Sequence, residues 1–254
     1  MPHRPKKNLS QNFLTDDNIA RKIIDSCHLT GSETVLEIGC GQGALTGHIL
    51  EKAGKLYGVE FDRDLYAEMK KKESPDFILF EADILEFDFT RIPYTDKRIK
   101  VIGNLPYHIS SPIIFLLIDH RERIETATIM LQKEVAERIV SGPHTKDYGI
   151  LSIFCQFFAD CKIVVTVPST AFFPKPKVDS AVLQLRFKES PPAVKDFELF
   201  RKIAKRSFNQ RRKMLRNSLS PFIGNRGIDF DLRLRPEQLS VQDFIHLSDL
   251  ISTQ

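Results

Sequence analysis

Between Thr34 and Thr46 an apolar run, Thr34 to Ile38, breaks at Gly39-Cys40-Gly41-Gln42-Gly43 and resumes with Ala44-Leu45-Thr46. A strand that ends on alternating glycines and passes straight into a helix is the opening unit of a parallel sheet covered by helices. Further apolar runs at Lys55 to Glu60, Phe77 to Phe80, Lys100 to Ile102 and Thr126 to Leu131 alternate with helical patterns, which repeats that unit. Lys162 to Val167 and Ala181 to Phe187 have no long helix between them and are expected to pair antiparallel at one sheet edge. The expected fold is α/β, a Rossmann-like domain with a mostly parallel seven-stranded sheet. A helix from about Thr15 to Cys27, capped by Thr15 or Asp16, should pack beside the first strand.

The strand pattern stops at Glu189-Ser190-Pro191-Pro192, and the remainder of the chain reads as short helices. The sequence therefore predicts two domains, 1–187 and a small all-helical 188–254. Four cysteines, Cys27, Cys40, Cys155 and Cys161, form no Cys-x-x-Cys pair and have no histidines at zinc-ligand spacing, so no metal is expected. No apolar run is long enough to cross a bilayer, and no signal core follows the basic start. A reduced, cytoplasmic, non-membrane protein is the expectation. The net charge of +4 permits a nucleic-acid partner without requiring one.

Three groups follow successive strands toward one rim. Gly39, Gly41 and the start of the next helix offer close backbone approach and unpaired N–H donors. The Gly-x-Gly-x-Gly spacing differs from that of dinucleotide binders and suits a zwitterionic amino-acid tail better than a pyrophosphate. Glu60 ends the second strand, where an acid can accept both ribose hydroxyl hydrogens. Asp83, after the third, can accept from an adenine amino group. Asp62 reads as a helix cap rather than a ligand group. The sheet plan, parallel strands with an antiparallel pair at one edge, is that of many S-adenosyl-L-methionine enzymes.

After the fourth strand stands Asn104-Leu105-Pro106-Tyr107. The amino nitrogen of adenine is a poor nucleophile because its lone pair is delocalised into the ring. A site that accepts hydrogen bonds from both amino hydrogens favours the pyramidal, reactive form. The Asn104 side-chain oxygen can take one hydrogen, and the backbone carbonyl of Leu105 or Pro106 the other. Tyr107 offers a face for a flipped base. Alignment and dispersal of charge carry such a transfer without an ionisable base, so His108 is read as a residue supporting the site or as a surface residue rather than as a base.

With these residues, the blocks Lys7 to Leu14, Glu37 to Thr46, Phe172 to Ser180 and Phe208 to Asn217 make the chain resemble the ribosomal RNA adenine N6-dimethyltransferase family, on the side of its bacterial small-subunit members. The resemblance implies a class I methyltransferase domain that uses S-adenosyl-L-methionine. It also implies methylation of N6 on two adjacent adenines near the 3′ end of small-subunit (16S) ribosomal RNA by a monomer. By the same resemblance Asn12 and Leu14 close over the methionine end of the cofactor, and Phe172 stacks on the base opposite Tyr107. The rivals are a large-subunit adenine methyltransferase of the macrolide-resistance type and an RNA-binding assembly or transcription factor on this fold. Leu105 and Ser110-Ser111-Pro112 favour the small-subunit group.

Between Arg201 and Arg216 eight cations, among them Arg206, Arg211, Arg212 and Lys213, stand without an intervening acid. On helices they can face a phosphate backbone while Ile203, Phe208, Leu215 and Leu219 turn inward. Lys175 and Lys177 near the base pocket would extend an RNA surface, as would Arg4, Lys6 and Lys7.

Overall fold

The structure, a computed structural model, describes residues 5–6, 11–93, 97–224 and 226–252. Arg4 and Lys7 lie outside these residues. The described chain divides into two compact units, one reaching Ala136 and including Asp160–Glu189, the other comprising Glu137–Ala159 and the chain from Ser190.

The first unit begins with β1 (Phe13–Leu14) and α1 (Asp17–Ser26), followed by β2 (Thr34–Ile38), α2 (Thr46–Leu50), β3 (Lys55–Glu60), α3 (Arg63–Lys70) and β4 (Phe77–Glu81). Then come β5 (Ile99–Asn104), α4 (Ser110–Asp119), β6 (Ile124–Gln132) and α5 (Lys133–Val140), whose last residues pass into the second unit. After α6 (Ile150–Phe158) the chain returns with β7 (Ala159–Val167), β8 (Phe172–Phe173) and β9 (Ser180–Phe187). The seven-stranded sheet has the order β4-β3-β2-β5-β6-β9-β7. Its first five strands pair in parallel, and β9 runs antiparallel to β6. Strands β2, β3 and β5 are buried almost end to end, as expected of parallel strands covered on both faces.

The chain leaves β2 toward β3 and β4, then crosses back to β5 on the other side of β2. Loops at the carboxyl ends of β2 and β5 therefore diverge and open a crevice, the usual ligand position in such sheets. Gly103 at the end of β5 pairs with Ile38, and a Cβ there would stand 2.7 Å from the Ile38 carbonyl oxygen. Only glycine allows β5 to approach so closely just before Asn104.

The expected strands are all present. Helix α1 starts after Asp16, whose carboxylate accepts from the Ile19 amide at 3.1 Å. Thr15 instead bonds the Ala171 carbonyl through both its amide and its hydroxyl. The sequence pattern did not reveal a second, two-stranded sheet in which β1 pairs antiparallel with β8, Phe13 facing Phe173 and Leu14 facing Phe172.

The second unit holds α6, α7 (Phe197–Asn209), α8 (Leu215–Ser218), α9 (Ser220–Ile223) and α10 (Val241–Ser252). By sequence 137–159 belongs to the first domain, whereas the structure groups it with the helical unit. The cause is aromatic packing: Phe154 and Phe157 on α6 meet Phe200 of α7 with centroids 6.1 and 4.9 Å apart. A helix apolar on most faces finds its partners there rather than in solvent.

Candidate functional site

One pocket of the first unit gathers residues from the ends of β2, β3, β4 and β5. Its floor is the glycine turn, where Gly39, Gly41 and Gly43 have φ of +72°, +55° and +89°. These left-handed conformations suit glycine, and Gly39 and Gly41, which line the pocket, present backbone rather than side chain to a ligand. The turn is tied to β3 by a bond from the Gly39 amide to the Val59 carbonyl, 2.9 Å.

Glu60 lines this pocket and is 6% exposed. Its two oxygens accept from the amides of Gly41 and Asp62, each at 2.9 Å, which fixes the carboxylate against the glycine turn. Burial raises its pKa, partly offset by those amides. Glu37, fully enclosed beneath the turn, accepts from the Thr46 hydroxyl at 2.7 Å, and burial pushes its carboxyl up to about 7. Asp83 caps the turn of Ile84–Glu86 through the Leu85 amide at 2.9 Å while lining the pocket. Phe61 is 57% exposed and also lines the pocket, as does the exposed side chain of Leu85. Neither was singled out by sequence. The signal is a large apolar residue close beside each acid, where an exposed loop would ordinarily carry a polar one.

Asp62 caps α3 through the Asp64 amide, as expected. Its carboxylate also accepts from Gln11 Nε2 at 2.7 Å and Lys6 Nζ at 2.8 Å. Burial opposes its ionisation, yet these donors hold it below the usual carboxylate range. Lys6 thus pairs with both Asp62 and Asp64. The same lead-in segment brings Asn12 and Leu14 into the pocket lining.

Asn104 lies at the other side of the crevice, with Nδ2 donating to the Asn12 carbonyl at 3.0 Å. That bond engages the amide's donor end and leaves Oδ1 as the end offered to a ligand. Leu105 is buried, its amide bonded to the Met130 carbonyl at 2.9 Å. The Pro106 carbonyl accepts from the Ile109 amide at 3.2 Å. Tyr107 is half-buried, its hydroxyl 2.7 Å from Ser180 Oγ. Leu105, Pro106, Tyr107 and the exposed His108 all line the pocket.

Among the residues expected to hold the cofactor or the base, Phe172 is the one that does not reach this lining. It is 4% exposed and belongs to the core beside Leu14, whereas its neighbour Phe173 is 64% exposed. Successive residues of a strand face opposite sides, so one of the two phenylalanines is committed to the core.

A profile of the family described as ribosomal RNA adenine dimethylase matches residues 2–234. The chain belongs to that family. A ribosomal RNA small subunit methyltransferase A from Francisella tularensis subsp. novicida is 43% identical, the match covering 98% of each chain. Among solved structures, a dimethyladenosine transferase from Plasmodium falciparum is 28% identical with a TM-score of 0.77, over 92% of this chain and 95% of the other. A 23S rRNA methyltransferase, ErmE, is 26% identical with a TM-score of 0.67, over 94% and 100%.

This ribosomal RNA adenine dimethylase family member carries its long cationic run on the helical unit. Ile203, Leu215 and Leu219 are buried and Phe208 is partly so. Arg206 Nε donates to the Ser218 carbonyl at 3.1 Å, and Arg211 to that of Thr145 at 3.1 Å with Glu237 4.0 Å away. These two thus help to fix the fold. Arg212 and Lys213 are exposed, as is Lys175 on the first unit, where Lys177 is also exposed. No group of three or more His, Cys, Asp or Glu that could hold a metal occurs among the described residues, and no described helix is long and apolar enough to cross a membrane.

Proposed function

We propose that this chain transfers methyl groups from S-adenosyl-L-methionine to N6 of two adjacent adenines in a loop near the 3′ end of small-subunit (16S) ribosomal RNA, giving N6,N6-dimethyladenine during small-subunit biogenesis. The observation that carries the reading is the hydrogen bond from Asn104 Nδ2 to the Asn12 carbonyl. It ties the base-side amide to the segment lining the cofactor side and leaves an oxygen free to accept from an exocyclic amino group.

The pocket's donor set fits the cofactor. The left-handed glycine turn gives backbone contact for an amino-acid tail. Glu60 is fixed and buried where ribose hydroxyls would be accepted, and Phe61 and Leu85 beside Glu60 and Asp83 form apolar faces suited to an adenine ring. When bound, the cofactor supplies an electrophilic methyl group. This chain's residues then orient and activate the nitrogen. Asn104 Oδ1 accepts one amino hydrogen, and the backbone carbonyl of Leu105, or that of Pro106 through the lone pair not used by Ile109, takes the other. Tyr107 stacks on the base. Arg212 and Lys213 on the helical unit and, separately, Lys175 and Lys177 on the first unit are exposed cations that contact phosphate groups.

The likeness to ErmE supports large-subunit RNA as the second reading. Incubating the protein with labelled cofactor and either ribosomal subunit, then resolving the nucleosides by mass spectrometry, separates the two. N6,N6-dimethyladenine from small-subunit RNA is the expected product. Label in large-subunit RNA alone, or in cytosine or guanine, overturns the proposal.

A further inference from the structure

The residue that stands behind Tyr107 has so far no part in the reaction. Ser180 opens β9 and is fully buried. It pairs in register with Gln132, at the carboxyl end of β6, two residues beyond the partner of Asn104, Met130. Its strand end is pinned on both sides. The Asp179 carbonyl accepts from the Lys133 amide at 3.0 Å, and the Asp179 carboxylate accepts from the Ser169 amide at 2.9 Å. From this fixed point its Oγ reaches the Tyr107 hydroxyl at 2.7 Å. At its other end, the Tyr107 carbonyl accepts from Ser110 Oγ at 3.1 Å.

A half-buried ring on a short turn (Tyr107–Ile109) is free to swing about χ1 and χ2 unless something holds its tip. A ring that offers its face to a base has to keep one plane, because stacking depends on parallel overlap. We propose that Ser180 is a positioning residue for methyl transfer: its hydroxyl, bonded to that of Tyr107, holds the ring as one wall of the site that receives the target adenine. This rests on the reading of Tyr107 as the stacking residue. Each of the two hydroxyls keeps its proton at neutral pH, so either can donate in the 2.7 Å bond. A serine that merely satisfied a buried tyrosine would affect stability and leave turnover of the folded enzyme alone.

The test is a double-mutant cycle of Ser180→Ala and Tyr107→Phe, with Tyr107→Ala as a separate arm. The readouts are kcat on small ribosomal subunits, cofactor Kd by calorimetry and thermal unfolding. Ser180→Ala and Tyr107→Phe are each expected to lower kcat roughly five- to tenfold, as loss of one aligning hydrogen bond does. Cofactor Kd should stay within about twofold, and the double variant should be no slower than either single one, because both remove the same bond. Should Ser180→Ala fail to fold, Tyr107→Phe still deletes the bond from its other end. Wild-type kcat in folded Tyr107→Phe, or losses that multiply in the double variant, overturn the assignment. If Tyr107→Ala is inactive while Tyr107→Phe is normal, only the role of Ser180 falls. A fully active Tyr107→Ala removes the stacking reading as well.

Discussion

Replacing Glu60 by alanine should do two measurable things, and the structure sets the size of each. The carboxylate is 6% exposed and accepts from the amides of Gly41 and Asp62 at 2.9 Å. Alanine leaves both amides without that partner. A hydrogen bond to a charged group contributes about 1.5–3 kcal/mol, and an unsatisfied buried donor costs about 1–3 kcal/mol. Water can enter the space left by the side chain and bond the Gly41 amide, which is only partly buried, so the lower end applies there. The expected loss is roughly 2–4 kcal/mol in unfolding free energy, together with a cofactor Kd raised roughly tenfold to a hundredfold through the missing ribose acceptor. Glu60→Gln should fall between, since its amide retains one acceptor and opposes a donor to the second N–H. Urea denaturation reads the first effect and calorimetry with S-adenosyl-L-methionine the second. A Glu60→Ala protein with the wild-type denaturation midpoint and wild-type cofactor affinity would refute both halves of the reasoning.

Asn104→Ala should cut kcat on the order of a hundredfold to a thousandfold while leaving RNA affinity nearly unchanged, measured by methyl transfer and by filter binding; substantial turnover would exclude the Asn104 amide from the reaction. Glu37 carries a proton in the folded state up to about pH 7 and loses it near 4.5 when unfolded. Between those values the native state binds more protons, so stability falls as pH rises, by about 3 kcal/mol in all. Glu37→Gln should flatten the Tm profile across that window, and an unaltered slope would mean another group is responsible. Removing the exposed pair Arg212 and Lys213 together should lower the log–log salt slope of RNA binding by somewhat under about two units at unchanged Tm. Arg211→Ala, by contrast, should lower Tm because its guanidinium holds the Thr145 carbonyl.

The glycine turn, Glu60, Asp83 and Asn104 were legible because each stands at or just after the end of an apolar run, and strand ends on one rim converge whatever the intervening loops do. The features that stayed hidden depend on long-range geometry. Phe172 and Phe173 are chemically identical, and which of them enters the core depends on the register of β8 against β1, a pairing between residues far apart in the chain. The helical unit's claim on 137–159 depends on which phenylalanines α6 meets. Lys6 reads as one more surface cation until Asp62 and Asp64 are seen beside it. Ser180 sits in a recognisable block, but nothing in its neighbours along the chain points to a tyrosine 73 positions earlier.

The pairing of β1 with β8 has a thermodynamic corollary. The strand that brings Leu14 into the pocket lining is hydrogen-bonded to the strand that carries Phe172 and Phe173, so ordering either strand lowers the entropic cost of ordering the other. Were the cofactor to raise the affinity for RNA through this pairing, RNA would raise the affinity for the cofactor by the same factor.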